Sequence, residues 1–382
     1  MDNITHSLVG ATLAELALPG SATRAQRRAF FVTGIVAANL PDADLVYTRI
    51  TPAPLGSLLH HRGHTHTIGG LVVLALLLGA VSLVPAARRA IEPHRARWWA
   101  LAVAGLLSHL VLDSWNSYGV HPFWPFDSHW IYGDAIFIAD PWIWLVLAVS
   151  AALNTMRPRG GALLGAALAL LIAAAGWRQV IPAIAVAALA VAAVALTLLM
   201  RPWPPHRRAG TALGLTLLYV AAMFGVRERV TARVLGAPVS ASGARIVDVV
   251  LSPEPANPLC WSVMTIAVNE PVDLFTTTRG TVSPFVPSGC GRRASAAVWE
   301  EPVRQSLAIL RDRYRSDCWV RAWMQFGRAP ELVPDAIGDL RYGGARGGFT
   351  SMSLHSPADA ACPARITPWI PPRSDLVGRP AG

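Results

Sequence analysis

The chain has 382 residues, of which 53% are hydrophobic and only 15% are charged, and its formal net charge is +10. This composition excludes a disordered tail protein and an ordinary cytosolic enzyme. A positive net charge can indicate a nucleic-acid partner, but all 33 basic residues are arginine and they form no polybasic block. Where the arginines lie along the chain therefore decides what the charge means.

Apolar segments follow one another over residues 1–226. Two of them, at 4–18 and 28–41, are shorter and more polar, and they could either span a membrane or lie at its interface. The other six approach the roughly 20 residues that cross a bilayer core, and they cover 68–84, 98–112, 141–155, 161–176, 180–200 and 210–226. The pattern predicts an α-helical polytopic membrane domain of six to eight helices.

Arginines are distributed unequally between the two ends of such a bundle. If all eight segments span, only Arg49, Arg62 and Arg178 of the short loops within residues 1–226 lie at one end. Twelve lie at the other end, namely Arg24, Arg27, Arg28, Arg88, Arg89, Arg95, Arg97, Arg157, Arg159, Arg201, Arg207 and Arg208. Because cytoplasmic loops are enriched in arginine, we expect a multi-pass protein of the cytoplasmic membrane, with the lipid bilayer as its partner. The charge is then a topology signal, which disfavours a nucleic-acid partner.

The first segment begins without the basic region of a cleavable signal peptide, so we expect it to remain in the mature protein. The arginine pattern places residues 42–67, residues 113–140 and everything after 227 on the extracytoplasmic side. We divide the chain into a helical region at 1–140 that carries the candidate site, transmembrane helices at 141–226 and a separate domain at 227–382.

Residues 227–382 differ in composition from the rest of the chain. They are rich in Pro, Gly, Thr and Val, and the stretches 244–251 and 261–268 are typical of strands. We predict a mainly β extracytoplasmic domain with one helix near 299–313. Its four cysteines are Cys260, Cys290, Cys318 and Cys362. An even number outside the cytoplasm favours two disulfides of open connectivity; a zinc site is the alternative, although no pair has CxxC spacing.

Histidines concentrate in the N-terminal third. Nine of the eleven lie within the first 130 residues, and eight of these are in segments expected at one membrane face: His6, His60, His61, His64, His66, His109, His121 and His129. Carboxylates accompany them at Asp42, Asp44 and Asp113. Ionisable groups are costly at membrane depth, so this concentration indicates a functional site. Scattered interfacial polar residues are the alternative.

Two local patterns suggest metal ligands. His109 and Asp113 stand four residues apart on one helix face, about 6 Å along the axis, which suits two ligands of one metal but also an ordinary hydrogen-bonded pair. The stretch 60–66 is a dense imidazole cluster, with a histidine-rich interfacial loop as the alternative. Histidine and aspartate without cysteine favour zinc or iron. Arg62, within the cluster, could contact a phosphate or orient Asp42 or Asp44.

Four separated pieces of chain thus deliver histidine or aspartate to the same face. Their convergence predicts a multi-ligand metal site. The candidate ligands are His6, Asp42, Asp44, His61, His66, His109 and Asp113.

The ordered motifs resemble the bacterial membrane-bound metal-dependent hydrolases of the YdjM type, which are inner-membrane proteins. The motifs are MDNITH at 1–6, PDAD at 41–44, HRGHTH at 61–66, His109 with Asp113, then Asn116, Tyr118-Gly119 and Asp140-Pro141. They cover about residues 1–145. Weaker similarity at 252–261 and 339–342 resembles the C-terminal domain of longer members.

That family is in turn distantly similar to the zinc-dependent phospholipase C and single-strand nuclease superfamily. The resemblance implies phosphoester hydrolysis by a zinc cluster whose His, Asp, His and helical His-xxx-Asp ligands occur in the order found here. The soluble enzymes also use an N-terminal Trp amine and a second helical His with a downstream acid. Here the chain starts with Met1, and His121, His129, Asp134 and Asp140 are only loose substitutes. A site of two zinc ions, within a range of one to three, is therefore expected.

The leading hypothesis is a membrane-bound hydrolase that uses metal-activated water on a phosphoester of a lipid or envelope substrate, at the periplasmic face. Arg62 would bind the substrate phosphate, and Asp140 would orient an imidazole. The alternative is a non-enzymatic envelope protein with a structural metal and a partner-binding β domain. A transporter is disfavoured because residues 141–226 contain almost no charge within the membrane.

Overall fold

The structure is a computed structural model that describes residues 1–50, 53–154, 158–236, 243–285, 290, 297–354 and 371–378. Cys362, one of the four cysteines considered above, lies outside these residues.

A helix occupies each of the eight apolar segments. These helices are α1 (Asn3–Ala17), α2 (Arg24–Asn39), α4 (Ile68–Val81), α6 (Arg95–Asp113), α7 (Pro141–Asn154), α8 (Pro158–Trp177), α9 (Ala183–Met200) and α10 (Pro205–Leu235). Two short helices, α3 (Leu55–His60) and α5 (Pro85–Ile91), lie in the connections. A 3-10 segment, Leu40–Ile50, follows α2 directly. The last helix continues beyond the predicted end of the membrane domain at 226.

Fewer helices are long enough to cross a membrane than the six to eight predicted. Within the described ranges, four pass by length and composition, namely Arg24–Arg49, Arg159–Trp177, Ala183–Met200 and Pro205–Leu235. A fifth is possible if the bent pair Leu55–His66 and Ile68–Val81 forms one broken span. Helices α4 and α7 have 14 residues each, about 21 Å at 1.5 Å per residue, which is less than a bilayer core of about 30 Å.

The helices alternate in direction, so their ends collect at two faces. At one face, the Asp2 amide donates to the Ile138 carbonyl (3.1 Å), and the Trp142 indole donates to the Ala256 carbonyl of the C-terminal region (3.1 Å). At the opposite face, Arg208 donates to the Leu153 carbonyl (2.7 Å). The candidate site and the C-terminal region therefore share one face, and arginine-bearing connections lie at the other. The assignment of the first face to the periplasm stays a prediction.

The C-terminal region is mainly β, as predicted. One antiparallel sheet has the order β1-β2-β3-β4, with β5 also paired to β3; its strands are β1 (Arg245–Glu254), β2 (Asn257–Asn269), β3 (Leu274–Val282), β4 (Ala297–Trp299) and β5 (Val303–Ser306). A second sheet contains β6 (Pro330–Val333), β7 (Ala336–Asp339) and β8 (Met352–Ser353). In the described part of this region, the helices α11 (Leu307–Ser316), α12 (Cys318–Trp323) and α13 (Ser374–Val377) accompany them.

The helix expected near 299–313 starts later than predicted. Residues Val303–Ser306 pair with β3, so they are part of the sheet. The helix begins only after Ser306, whose hydroxyl accepts a hydrogen bond from the Ile309 amide (3.1 Å) and thereby caps it. Strand pairing and the cap together set the start of α11.

Disulfide bonding is confirmed for Cys260 and Cys290, which are joined across a sequence separation of 30 residues. Cys318 is also disulfide-bonded. The alternative of a zinc site at Cys260 and Cys290 is therefore wrong.

The C-terminal region packs directly on the helical region that carries the candidate site. Leu55, Leu58 and Tyr118 share one hydrophobic core with Trp323 and Phe326, and all five are almost fully buried. The long connection between α6 and α7 thus lies under the β domain. This packing positions the residues that follow Asp113 at the end of α6.

Candidate metal centre

Four structural elements bring the predicted ligands together. Helix α1 starts at the Asp2 cap, which accepts hydrogen bonds from the Ile4 and Thr5 amides, and it presents His6 one turn later. The 3-10 segment after α2 carries Asp42 and Asp44, the connection after α3 carries His61 and His66, and the end of α6 carries His109 and Asp113. The convergence expected from the sequence is therefore present in the fold.

Four side-chain atoms form a compact group suited to a single cation. They are His66 Nε2, His109 Nε2, Asp42 Oδ1 and Asp113 Oδ2. The two imidazole nitrogens lie 3.0 Å apart, and each lies between 3.3 and 3.5 Å from the two carboxylate oxygens. A tetrahedral zinc site with bonds of about 2.0–2.1 Å needs ligand atoms separated by about 3.3–3.4 Å. The observed spacings fit a metal ion.

The orientation of the two imidazoles also fits a metal. His109 Nδ1 lies 2.6 Å from the Ala38 carbonyl, which can only accept, so we assign the ring proton to Nδ1. His66 Nδ1 lies 3.0 Å from the Thr65 hydroxyl, which itself donates to Asp44 Oδ2, and 3.3 Å from Asp44 Oδ2, so we assign its ring proton to Nδ1 as well. Both Nε2 atoms then present lone pairs to each other at 3.0 Å. A cation between them would turn this repulsion into ligation.

A second group shares Asp42 with the first. It contains Asp42, Asp44 and His61, with His61 Nδ1 3.1 Å from Asp44 Oδ1 and 4.0 Å from Asp42 Oδ1. The sharing makes Asp42 the candidate bridging carboxylate. Asp44 is more constrained, because its Oδ2 already accepts from the Arg62 amide (3.0 Å) and the Thr65 hydroxyl (2.8 Å). Its contacts favour a role in holding the imidazoles of His61 and His66.

His6 lies beside the first group. Its ring stacks on His109, with centroids 3.9 Å apart, and its Nε2 lies 3.4 Å from Asp113 Oδ1. It is fully buried, and neither ring nitrogen makes a hydrogen bond within the described residues. The amino group of Met1 also contacts Asp113 Oδ1. A buried imidazole with free nitrogens is costly unless it binds something, so His6 stays a predicted ligand.

Arg62 has contacts that differ from those expected of a substrate ligand. Its guanidinium is buried and donates to Asp113 Oδ1 (3.0 Å), to the Gly119 carbonyl (3.1 Å) and to the Asp113 carbonyl (3.2 Å), and it lies over the Tyr118 ring. Its backbone has a φ of +60°, a strained value for a residue other than glycine. The geometry favours a role in positioning Asp113, and Arg62 orients neither Asp42 nor Asp44 through its side chain.

Asp140 lies away from the imidazoles that it was expected to orient. Its carboxylate accepts from the Trp142 amide (2.9 Å) and the Ile143 amide (3.2 Å), which caps α7, and from the Tyr219 hydroxyl (2.9 Å). Burial raises the pKa of Asp140 to about 6, against the hydrogen bond from Tyr219, which lowers it. These contacts assign Asp140 to helix capping and packing, because they leave it no imidazole partner among the described residues.

The other residues considered as loose substitutes for missing ligands are also outside the two metal-compatible groups. His129 is exposed and pairs with Asp127. Asp134 forms a two-pronged ion pair with Arg328 of the C-terminal region, at 2.9 and 2.8 Å. His121 is fully buried but is in neither of the two metal-compatible groups.

Sequence reasoning missed the residues that hold the ligands in place. Asn3 donates to Asp42 Oδ2 (3.1 Å), and Thr65 donates to Asp44. Both lie inside the motifs MDNITH and HRGHTH, so their positions next to predicted ligands were the available signal. The Ala38 carbonyl that holds His109 is a backbone group and leaves no trace in the sequence.

Two comparisons of the sequence with known proteins give matches. Residues 1–185 match the model of the YdjM inner membrane protein family. The chain is also 28% identical, over 149 residues, to a Bacillus subtilis protein described as uncharacterized protein YfhP. That match covers 38% of this chain and 43% of the relative, so the chain spans less than half of the relative's length. No solved structure gives a significant match.

The resemblance drawn from the motifs is thus confirmed at the level of the family. The more distant similarity to zinc-dependent phospholipase C and nucleases stays a prediction, since neither match extends to that superfamily. Residues 1–185, just under half of the chain, are thus similar to the YdjM inner membrane protein family.

Proposed function

We propose that the protein is a membrane-bound metal-dependent hydrolase acting on a phosphoester in a lipid or envelope substrate. The observation that carries the proposal is the group of four ligand atoms in which each imidazole nitrogen lies 3.0–3.5 Å from the other three, set among nearly fully buried side chains. Zinc is the favoured metal, because two imidazoles and two carboxylates without a thiolate are its common ligands.

Residues of this chain would hold the metal and guide its access. Zinc, when bound, lowers the pKa of a water ligand to about 7 and polarises a phosphoryl oxygen. His66 and His109 would ligate through Nε2, while Arg62 keeps the Asp113 carboxylate in position. Asp42 and His61 are the least buried members, with 11% and 21% of their side chains exposed. A substrate and a second ion would therefore enter on their side.

A lipid or envelope substrate is supported by the location of the group. The ligands lie at the ends of helices in a chain with at least four membrane-length apolar helices in its described part. A phosphoester head group at the bilayer surface would lie at the same depth as the ends of these helices. The predicted periplasmic location makes envelope phosphoesters the accessible class.

The test is elemental analysis of detergent-purified protein, combined with phosphodiesterase and phosphomonoesterase assays on lipid substrates. Wild type is expected to contain one or two equivalents of zinc and to hydrolyse at least one substrate. His109→Ala and Asp113→Asn are expected to lose metal and activity while still inserting into the membrane.

Two matched variants control for nonspecific effects. His129→Ala and Asp127→Asn alter an exposed histidine and aspartate on the α6–α7 connection, outside both groups. They are expected to keep wild-type metal content and activity. Full metal content in His109→Ala and Asp113→Asn would contradict the ligand assignment, and metal-containing but inactive wild type would contradict the hydrolase.

The second candidate function is a structural metal in a non-enzymatic envelope protein. It is favoured by the four-ligand group itself, because structural zinc sites are closed by four protein ligands, whereas catalytic sites keep an open position. Binding of inorganic phosphate to the metal-loaded protein, measured by zinc-edge absorption spectroscopy, separates the two. A changed spectrum supports the hydrolase, and an unchanged spectrum supports the structural role.

A further inference from the structure

Helix α4 exposes most of its apolar surface. Its buried side consists of Leu71, Leu74 and Leu78. Six other large apolar side chains of this helix are between 48% and 67% exposed, namely Ile68, Val72, Val73, Leu76, Leu77 and Val81. Exposing such a surface to water is costly, whereas lipid chains are as apolar as the side chains themselves. The surface of α4 therefore fits a bilayer core.

Helix α4 is too short to cover that core by itself. Its 14 residues span about 21 Å, against about 30 Å for the hydrocarbon of a bilayer. The Ile68 amide, at the first residue of α4, donates to the Pro122 carbonyl (2.9 Å). Residues 123–126 of the α6–α7 connection therefore begin beside the end of α4 that follows the histidine cluster, where they are in position to extend its apolar surface.

Exposed aromatic side chains continue the apolar surface at this end. Phe126 is 97% exposed, and Phe123 is 49% exposed. The residues that follow are polar, because Asp127 and His129 are both exposed and contact each other through their side chains. Apolar rings followed directly by solvated polar groups are typical of a segment at a membrane–water interface.

A second exposed apolar pair lies close to the same histidine cluster. Val46 is 81% exposed and Leu45 is 47% exposed, on the 3-10 segment that carries two of the candidate carboxylates. This segment packs against residues 64–66. The Trp124 ring, between the two phenylalanines, packs edge-on against His64 with centroids 4.9 Å apart. Both exposed pairs therefore lie on segments that contact the cluster from which α4 starts.

We propose that four side chains form an interfacial rim that inserts among the lipid head groups and the adjoining acyl chains, namely Leu45, Val46, Phe123 and Phe126. Lipid is favoured over a protein partner, because the rim lies at one end of a helix whose surface already fits a bilayer core. Since Leu45 directly follows Asp44, insertion would hold the candidate metal centre at head-group depth. The inference concerns the depth of a surface and does not rest on the proposed hydrolysis.

The test is photo-crosslinking of the full chain in proteoliposomes of phosphatidylethanolamine and phosphatidylglycerol. The photoreactive residue p-benzoylphenylalanine replaces Phe126 or Val46, one position at a time, and adducts are identified by mass spectrometry. A phospholipid adduct is expected at both positions. Its yield should exceed that of an exposed control position by more than about tenfold, because full burial of a Phe or Val side chain favours the inserted state by about that factor or more.

Val272 is the matched control position. It is 61% exposed and lies between β2 and β3. This position is at the opposite end of β2 from Ala256, whose carbonyl accepts from Trp142 of the helical region. Val272 is therefore expected to face water and to give little lipid adduct. The unfolding midpoint in detergent identifies the variants that fold, and because Phe126 and Val46 lie on different segments, either one can carry the test.

Two results would overturn the inference. One is a lipid adduct that is no more abundant at a folded rim variant than at Val272. The other is crosslinking of the rim to a second protein chain in place of lipid, which would make this surface a protein interface. Because adducts are measured without turnover, neither result would bear on the proposed hydrolase.

Discussion

Arg328 connects the C-terminal region to the α6–α7 connection through a buried ion network. Its guanidinium contacts both Asp134 oxygens at 2.8 and 2.9 Å, contacts Asp248 at 2.8 and 3.1 Å, and lies 4.0 Å from the centre of the Tyr132 ring. Only 5% of the arginine side chain and 2% of the Asp134 side chain are exposed. We therefore expect Arg328→Met to destabilise the whole protein.

The expected size follows from the partners that remain. Asp248 keeps a contact with Arg373 at 2.7 Å, whereas Asp134 forms no second ion pair among the described residues. Removing one member of a buried ion pair costs about 3–5 kcal/mol, since the other charge stays buried. At roughly 2–4 °C per kcal/mol, the unfolding midpoint should fall by roughly 6 to 20 °C.

The assay is thermal unfolding in detergent, followed by intrinsic fluorescence, for a double-mutant cycle. Asp134→Asn removes the stranded charge, so the double variant Asp134→Asn, Arg328→Met should recover much of the loss. Arg304→Met is the matched control, because Arg304 is exposed and its pair with Glu301 is worth less than about 1 kcal/mol. A single variant as stable as this control, or a double variant no better than the single, would show that the buried network does not stabilise the fold.

Three further predictions concern packing, pH and the disulfide. A Cβ on Gly34 would lie 2.3 Å from the Gly10 carbonyl oxygen, so Gly34→Ala should separate α1 from α2 and reduce metal content. Gly165 has open space around it, so Gly165→Ala should leave metal content unchanged. Equal metal content in both variants would contradict this prediction. Burial raises the pKa of Asp140 to about 6. The wild type should therefore lose on the order of 3 kcal/mol of stability as the pH rises from about 4 to about 6, whereas Asp140→Asn should not. Parallel pH profiles of the unfolding midpoint in the two proteins would contradict the burial argument. Replacing Cys260 and its disulfide partner by Ala opens a loop with a sequence separation of 30 residues, which should cost about 3–4 kcal/mol of unfolding free energy in detergent; a change below about 1 kcal/mol would show that the crosslink contributes little.

The apolar segments predicted the helices well, because each segment is long and consists mainly of apolar residues. They did not distinguish helices that cross a bilayer from shorter ones, as α4 and α7 illustrate. Each of these helices is apolar enough, but its 14 residues are too few. In the sequence, the end of a helix cannot be told apart from apolar residues that flank it. For α7 the difference is length in the fold, whereas α6 has 19 residues and is excluded by its composition.

The candidate ligands were predictable because histidine and aspartate are costly to place among apolar segments unless they bind a partner. The roles of their neighbours were not predictable. Arg62 has the sequence context of a phosphate ligand, yet in the fold it is enclosed by Asp113 and by backbone carbonyls. The partner of Asp134 is 194 residues away, and no local pattern marks such a pair. Contacts between distant segments depend on how the β domain docks.

The most direct test of the metal site is an anomalous difference map, recorded at the zinc absorption edge from crystals of the detergent-purified protein. We expect a peak enclosed by His66 Nε2, His109 Nε2, Asp42 Oδ1 and Asp113 Oδ2, with a second peak beside Asp42 and His61 if two ions bind. A zinc-supplemented crystal with no peak among these four atoms would contradict the metal site.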